Sequence, residues 1–236
     1  MDTKKHIFIV SSCINIDSSP LAYFHKRSVF EPEERLHQTL FTLRAIREKI
    51  NNCVIIVTNN NGLTNDQREI MKSHCDYIIE IDTDIKLDEY TFTINDLKTH
   101  PSKSFAETVS LYNACDKILE LGLEFDYVWK ISGRYYMLNS FNLANWPLRE
   151  NVIVSPRADD GVANNVIYSI PKTMITYYMN RLKQCAIKCF NDNNNNTYGV
   201  ENSLFDFNNK EVHEWLPIKA HIGGMCAVQP RVWWQC

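Results

Sequence analysis

Short unbroken apolar runs alternate with stretches of helical periodicity between residues 6 and 131. The run His6-Ile7-Phe8-Ile9-Val10 is continuous and ends in Ser11-Ser12. That pattern predicts a strand buried on both faces of a parallel sheet, opening at its C-terminal end into a loop. Residues 13–31 have no period and contain Pro20 and Arg27, which predicts a long loop of the kind that carries function. Pro32 opens a helix, with Glu33 and Glu34 in the first turn where acids suit the helix dipole. Leu36, Leu40, Leu43, Ile46 and Ile50 then recur at helical spacing. Residues 53–58 form a second apolar run, followed by Asn59-Asn60-Asn61-Gly62. Thr64-x-x-Gln67 is a capping box for a short helix, and residues 76–81 are a third strand. This β-α-β-α-β order predicts a parallel sheet with right-handed crossovers.

Residues 82–101 read as polar and irregular. Ser104-x-x-Glu107 reads as a further capping box, opening a helix that carries Phe105, Val109, Tyr112, Cys115 and Leu119 and ends before Gly122. The strand over 127–131 breaks at Ser132-Gly133-Arg134. A strand over 151–154, a hairpin partner within 164–170, and a helix from Pro171 to residue 190 follow. An asparagine-rich loop, a short helix over 201–207 and a last strand region over 218–228 complete the chain. Neither an internal repeat nor a linker interrupts the pattern. The chain therefore reads as one α/β domain over 1–236, with a mostly parallel sheet flanked by helices.

Composition narrows the function classes. With 44% hydrophobic and 22% charged residues over 236 positions, the chain is ordinary for a globular protein and too apolar for disorder. A formal net charge of −3 argues against a general nucleic-acid binder. No run of about 18 apolar residues predicts a transmembrane helix. The N-terminal apolar stretch is too short for a signal-peptide core, so a cytoplasmic protein is expected. The eight cysteines are scattered with no CxxC pair, which disfavours a zinc ribbon or a thioredoxin-type site. Cys185 and Cys189 are expected to be small apolar residues on one helical face.

Ligands of α/β sheets bind at the C-terminal ends of the strands. The residues there are Ser11 and Ser12, Thr58 to Gly62 with Asn59 among them, Asp82-Thr83-Asp84, and Ser132-Gly133-Arg134. Neither GxGxxG nor GxxxxGK[ST] is present, which disfavours a dinucleotide dehydrogenase and a P-loop NTPase. GxSxG is missing too, which disfavours an α/β-hydrolase.

IFIVSS near the start, RSVFEPEERLHQTLFTLRAIREKI, KSFAETVSLYNA and above all DYVWKISGRYYML together resemble small GT-A-type glycosyltransferases. Such enzymes occur in surface-polysaccharide gene clusters and in some large DNA viruses. The resemblance spans most of residues 6–228 and is most specific at KISGRY, 130–135. It implies a GT-A-like fold, with a nucleotide-sugar-binding half over about 1–135 and an acceptor-binding half over about 136–236. The donor it implies is a nucleotide-sugar, UDP or GDP, and the acceptor a glycan or other hydroxyl. Members of the family usually carry Asp-x-Asp at the end of this strand, where the carboxylates hold Mg²⁺ or Mn²⁺ against the donor diphosphate. Here the tripeptide is Ser132-Gly133-Arg134, preceded by Lys130, and it offers no carboxylate.

Charge developing on a leaving diphosphate still has to be neutralised. A guanidinium can do so by bidentate contact with phosphate oxygens. Arg134, helped by Lys130 or Lys103, is the candidate, against a structural salt bridge beside a tight turn. Asp82 and Asp84 form a literal Asp-x-Asp after the wrong strand, either a weak metal site or a solvated loop. Lys103 lies at a helix start, where backbone N–H groups favour anions; Glu107 is expected to serve as a cap. Lys26, Arg27 and Arg35 either line a donor pocket or are solvated. The carboxylate base that an acceptor hydroxyl needs is Glu201 or, second, Asp159. His221 is either a diphosphate contact or a packed histidine. Trp146, Trp215, Trp233 and Trp234 are expected mainly to pack. A glycan- or nucleotide-binding module without catalysis is the competing reading, and the missing Asp-x-Asp is its support.

Overall fold

The computed structural model describes residues 3–17, 19–21, 26–156, 165–192, 211–216, 219–225 and 232–235. The first five elements follow the apolar pattern: β1 (His6–Ser12), α1 (Pro32–Lys49), β2 (Cys53–Asn59), α2 (Asn65–Lys72) and β3 (Tyr77–Glu80). A hairpin of β4 (Ile85–Leu87) and β5 (Tyr90–Phe92), then α3 (Ile94–Thr99) and α4 (Lys103–Glu120), lead to β6 (Tyr127–Ser132). Then come β7 (Tyr135–Met137), β8 (Ile153–Ser155), β9 (Ile167–Pro171), α5 (Ile175–Asn191), β10 (His213–Trp215), β11 (Ile222–Met225) and β12 (Val232–Gln235).

The main sheet has seven strands in the order β10-β8-β9-β6-β1-β2-β3. β1 is central, parallel to both β2 and β6, and β2 is parallel to β3. β9 runs against both its neighbours, β6 and β8, while β10 lies parallel to β8. A second sheet, β12-β11-β7, is antiparallel. The fold is thus mixed α/β with a mostly parallel sheet between helices, as the apolar runs predict.

Alternation along the central strands divides the core in two. Phe8, Val10, Ile55, Val57, Trp129 and Ile131 face one way and pack with Leu36, Leu40, Leu43 and Ile46 of α1. Ile7, Ile9, Ile56, Val128 and Ile170 face the other way, against Leu111, Cys115 and Ile118 of α4 and Ile175, Tyr178 and Leu182 of α5. Burying each such side chain contributes about 1.5–3 kcal/mol, which fixes the register of the sheet and so the position of its strand ends. Gly122, at φ +61, closes α4 as expected: its N–H reaches the Leu119 carbonyl and the Leu123 N–H reaches Ile118.

Several expectations need correction. Residues 82–101 are not irregular; they form the β4–β5 hairpin and α3, whose Thr93 cap bonds Asp96. Leu87, Phe92 and Leu97 bury against Phe105 in a third small core. Pro171 does not open a helix. It ends β9 opposite Tyr127, and a single turn of 3₁₀-helix separates it from α5. In the last strand region, expected over 218–228, residues 219–221 are not strand and β11 begins at Ile222; residues 218 and 226–228 lie outside the described residues, and the sequence pattern does not predict β10. Ser104 is not a helix cap. Ser102 occupies that place, and Lys103 is the first helical residue. The short helix expected over 201–207 lies outside the described residues.

Candidate functional site

Register brings Ser11 of β1 directly beside Ser132 of β6. The next residue, Gly133, donates its N–H to the Ser11 carbonyl at 2.8 Å. A Cβ on Gly133 would lie 3.1–3.2 Å from Thr39 Oγ1, the Ser11 carbonyl oxygen and Ser12 Cβ, so the turn is seated tightly on β1 and α1. Arg134 follows it, at the C-terminal ends of the two central strands. Its guanidinium stands 5.7 Å from the centroid of the Tyr135 ring. Behind it, Gly224 of β11 pairs with Tyr135. A Cβ there would fall 2.2 Å from Tyr135 Cδ1 and 2.6 Å from the Arg134 carbonyl oxygen, so no side chain fits.

Three cations from three elements act on one another at this point. Lys103 starts α4, Arg35 lies on the first turns of α1, and Arg134 sits on the β6–β7 turn. Burial, then repulsion from Arg134 and Arg35, pulls the Lys103 ammonium from 10.5 down to about 7. Arg35 is buried; its Nε donates to the Cys13 carbonyl and its Nη1 to Ser28 Oγ. Burial, with repulsion from Arg134 against it and the Cys13 thiol in its favour, brings Arg35 down to about 10. Burial pushes the Cys13 thiol up, although Arg35, Lys103, Arg27 and Arg134 all favour its anion. A cluster in which neighbouring cations repel, and in which Arg35, Lys103, Arg27 and Arg134 all favour the Cys13 anion, is chemically suited to an anion.

Glu107, expected as a helix cap, has a different place in the structure. Its carboxylate does not cap a helix. It accepts from the Lys130 ammonium at 2.7 Å and from Ser11 Oγ at 3.2 Å. Burial works to raise this carboxyl, but the charge and hydrogen bond of Lys130, with Lys103 and Arg134, hold it below the usual carboxylate range. Lys130 is 1% exposed and also donates to Ser132 Oγ at 2.7 Å and to the Asn165 carbonyl. Its three protons thus go to protein acceptors. The spacing of Lys103 and Glu107, i and i+4 on one helix, is the signal that links Glu107 to the cations.

The other expected site residues are spread more widely. Ser12 shares a hydrogen bond with Thr39 at 2.9 Å, on the α1 side of the turn. Asn59 is fully buried at the end of β2, where its Oδ1 accepts the Ile14 N–H at 3.2 Å. Its Nδ2 has no hydrogen-bond partner among the described residues. Arg27 is buried and donates to the His100 carbonyl. His221 is not brought to the cluster. Its ring meets Ser140 Oγ at 3.0 Å and its carbonyl takes the Leu138 N–H, three strand positions from Tyr135, or about 10 Å. Asp82 and Asp84 are exposed. Asp82 acts on Lys117, fourteen residues and about 21 Å along α4 from Lys103, while Asp84 accepts the Ile94 N–H. Trp146 is core, donating to Ser169 Oγ at 2.9 Å. Glu201 and Asp159 lie outside the described residues.

Among the described residues no group of three His, Cys, Asp or Glu side chains comes together to hold a metal. Among the described residues the carboxylate in the cation cluster is Glu107, and it is bound to Lys130 and Ser11. The described donor set at this strand end therefore does not fit Mg²⁺ or Mn²⁺. No helix is long and apolar enough to cross a membrane among the described residues.

No family model matches the chain, and no curated protein matches its sequence. Among solved structures it is similar to the glycosyltransferase GlyE of Streptococcus pneumoniae TIGR4, at 13% identity and a TM-score of 0.48. That match covers 91% of this chain and 45% of GlyE, so the chain spans less than half the length of that protein. It is also similar to a glycosyltransferase involved in glycosylation of the major capsid of PBCV-1, with 9% identity, 89% and 80% coverage and a TM-score of 0.46. A third likeness is to the bifunctional WbbM, with 12% identity, 79% and 34% coverage and a TM-score of 0.42.

Proposed function

We propose that the protein is a glycosyltransferase that moves a sugar from a nucleotide-sugar, UDP- or GDP-linked, to a hydroxyl of a glycan or other acceptor. The observation that carries this reading is the convergence of Arg35, Lys103 and Arg134 at the ends of β1 and β6. Their charge suits a diphosphate, and the resemblance at KISGRY supplies the nucleotide-sugar. In the transfer, the bond between the anomeric carbon and the phosphate oxygen breaks, and a bond from the acceptor oxygen forms. The electron pair leaves on the nucleoside diphosphate, where Arg134 and Lys103 offset the growing charge without a metal. The acceptor proton passes to a carboxylate base, for which Glu201 is the first candidate and Asp159 the second. Residues to about 135 hold the donor and those beyond it the acceptor, and the chain works in the cytoplasm. Lys130 acts through Glu107 and not on phosphate.

The test is release of nucleoside diphosphate from UDP- and GDP-sugars, with and without EDTA. Turnover that persists in EDTA and is lost in Arg134→Ala supports the reading. Turnover abolished by EDTA and restored by Mn²⁺ rejects the cationic mechanism. Tight sugar-nucleotide binding with no release under any condition favours the second reading, a catalytically inactive module, which the lack of a carboxylate at the turn supports.

A further inference from the structure

The Glu107 carboxylate takes no direct part in the proposed transfer, yet it acts on Lys103 from the same helix. We propose that Glu107 is a positioning residue for the anion site, fixing the Lys103 helix turn to the Arg134 turn and keeping Lys103 charged for phosphate. The inference deepens the transferase reading and rests on it only for the identity of the ligand.

The geometry is a short chain of contacts. Lys103 and Glu107 are one helical turn apart on α4. Glu107 is held from two sides, by Lys130 of β6 and by the Ser11 hydroxyl of β1. The carbonyl of the same Ser11 receives the Gly133 N–H, and Arg134 follows at once. One residue of β1 therefore joins the helix carrying Lys103 to the turn carrying Arg134.

The charges act in the same sense. Lys103 is faced by Arg134 from the β6–β7 turn, by Arg35 from α1, by Cys13 from the loop after β1 and by Glu107 from its own helix. Burial and the two guanidiniums disfavour its proton; Glu107 and, when ionised, Cys13 favour it. A bound polyanion adds to the favourable side, so binding draws a proton onto Lys103. Neutralising Glu107 makes Lys103 lose that proton at a lower pH, and affinity for anions then falls from a lower pH.

The experiment uses the full chain, inorganic pyrophosphate as probe, EDTA throughout, and calorimetric Kd values from about pH 6 to 9. Each variant is compared with the wild type at the same pH, which cancels the ionisation of pyrophosphate itself. For Glu107→Gln the Kd ratio is expected to be small at pH 6 and about tenfold at pH 8 for each unit by which Lys103 shifts. Glu107→Asp, which keeps the charge, is expected to give a ratio that does not vary with pH. Should Glu107→Gln fail to fold, the Glu107→Gln/Lys130→Met double variant carries the same expectation with the buried pair neutral. A ratio for the neutral variant that is constant over the whole range overturns the proposal, as does failure of the wild type to bind pyrophosphate at pH 6. If the pH-dependent ratio appears but no sugar nucleotide is turned over, only the transferase reading falls. If sugar nucleotides are turned over and the ratio is flat, only the positioning role falls.

Discussion

The ammonium of Lys130 and the carboxylate of Glu107 meet at 2.7 Å beneath the ends of β1 and β6, with the lysine 1% exposed. Taking either charge away leaves the other in a poorly solvated place, and that cost exceeds the net worth of the pair. Lys130→Met is therefore expected to destabilise the protein by about 3 kcal/mol, the low end for a buried pair because Glu107 keeps some access to water. Adding Glu107→Gln should recover much of that loss, and urea unfolding of the two single variants and the double variant measures the coupling.

Lys103 gives a prediction of opposite sign. Its proton is held more weakly in the folded chain, with a pKa of about 7, than at its ordinary 10.5. Below about pH 7 both states carry the proton, and the full cost of burying that charge beside Arg134 and Arg35 is present. Between about 7 and 10.5 the unfolded chain binds more protons, so this group's contribution to stability rises with pH. Lys103→Met is expected to stabilise the protein at pH 6–7, by roughly 2–4 °C in Tm for each kcal/mol of repulsion removed. That advantage should shrink as pH approaches 10 while pyrophosphate affinity stays low. An unchanged Tm at pH 6 would count against the crowding of cations described above.

Gly224 tests the support behind the turn. Gly224→Ala drives a methyl into the Tyr135 ring and the Arg134 carbonyl, at an expected cost of about 1–3 kcal/mol for overpacking. Because the displaced backbone carries Arg134, pyrophosphate Kd should rise as well. Gly122→Ala is the control. It meets open space but sits at φ +61, so about 1 kcal/mol of strain is expected with no change in binding.

Arg134→Lys retains charge but loses the planar fork that grips two oxygens at once. In the donor assay kcat is expected to fall about 10²-fold with a smaller change in KM, since the lost contact matters most as charge develops. Equal losses in Arg134→Lys and Arg134→Ala would support the fork; full activity in the lysine variant would reject it.

The parts of this fold that are legible from the sequence are those built from local pattern. β1, α1, β2 and α2 each announce themselves by an apolar run, a helical period or a cap, and the Gly133-Arg134 break stands out because it interrupts such a run. The β4–β5 hairpin is hidden because its strands are three residues long and alternate weakly. Strand β10, His213-Glu214-Trp215, owes its existence to pairing with β8 and has no pattern of its own. Glu107 was obscured by a local motif: Ser104-x-x-Glu107 fits a capping box, while its actual partners, Ser11 and Lys130, are far away along the chain. His221 illustrates the converse, a residue of suitable chemistry that antiparallel register carries away from the site.

The pairing of Gly224 with Tyr135 joins positions some ninety residues apart. Closing so long a loop is a late event on most folding routes. The strands and helices that supply Arg35, Lys103 and Glu107 come from the earlier part of the chain and can assemble before β11 arrives. A partly folded molecule would then already hold its repelling charges without the backing that steadies Arg134, and counter-ions present during refolding should speed the final step.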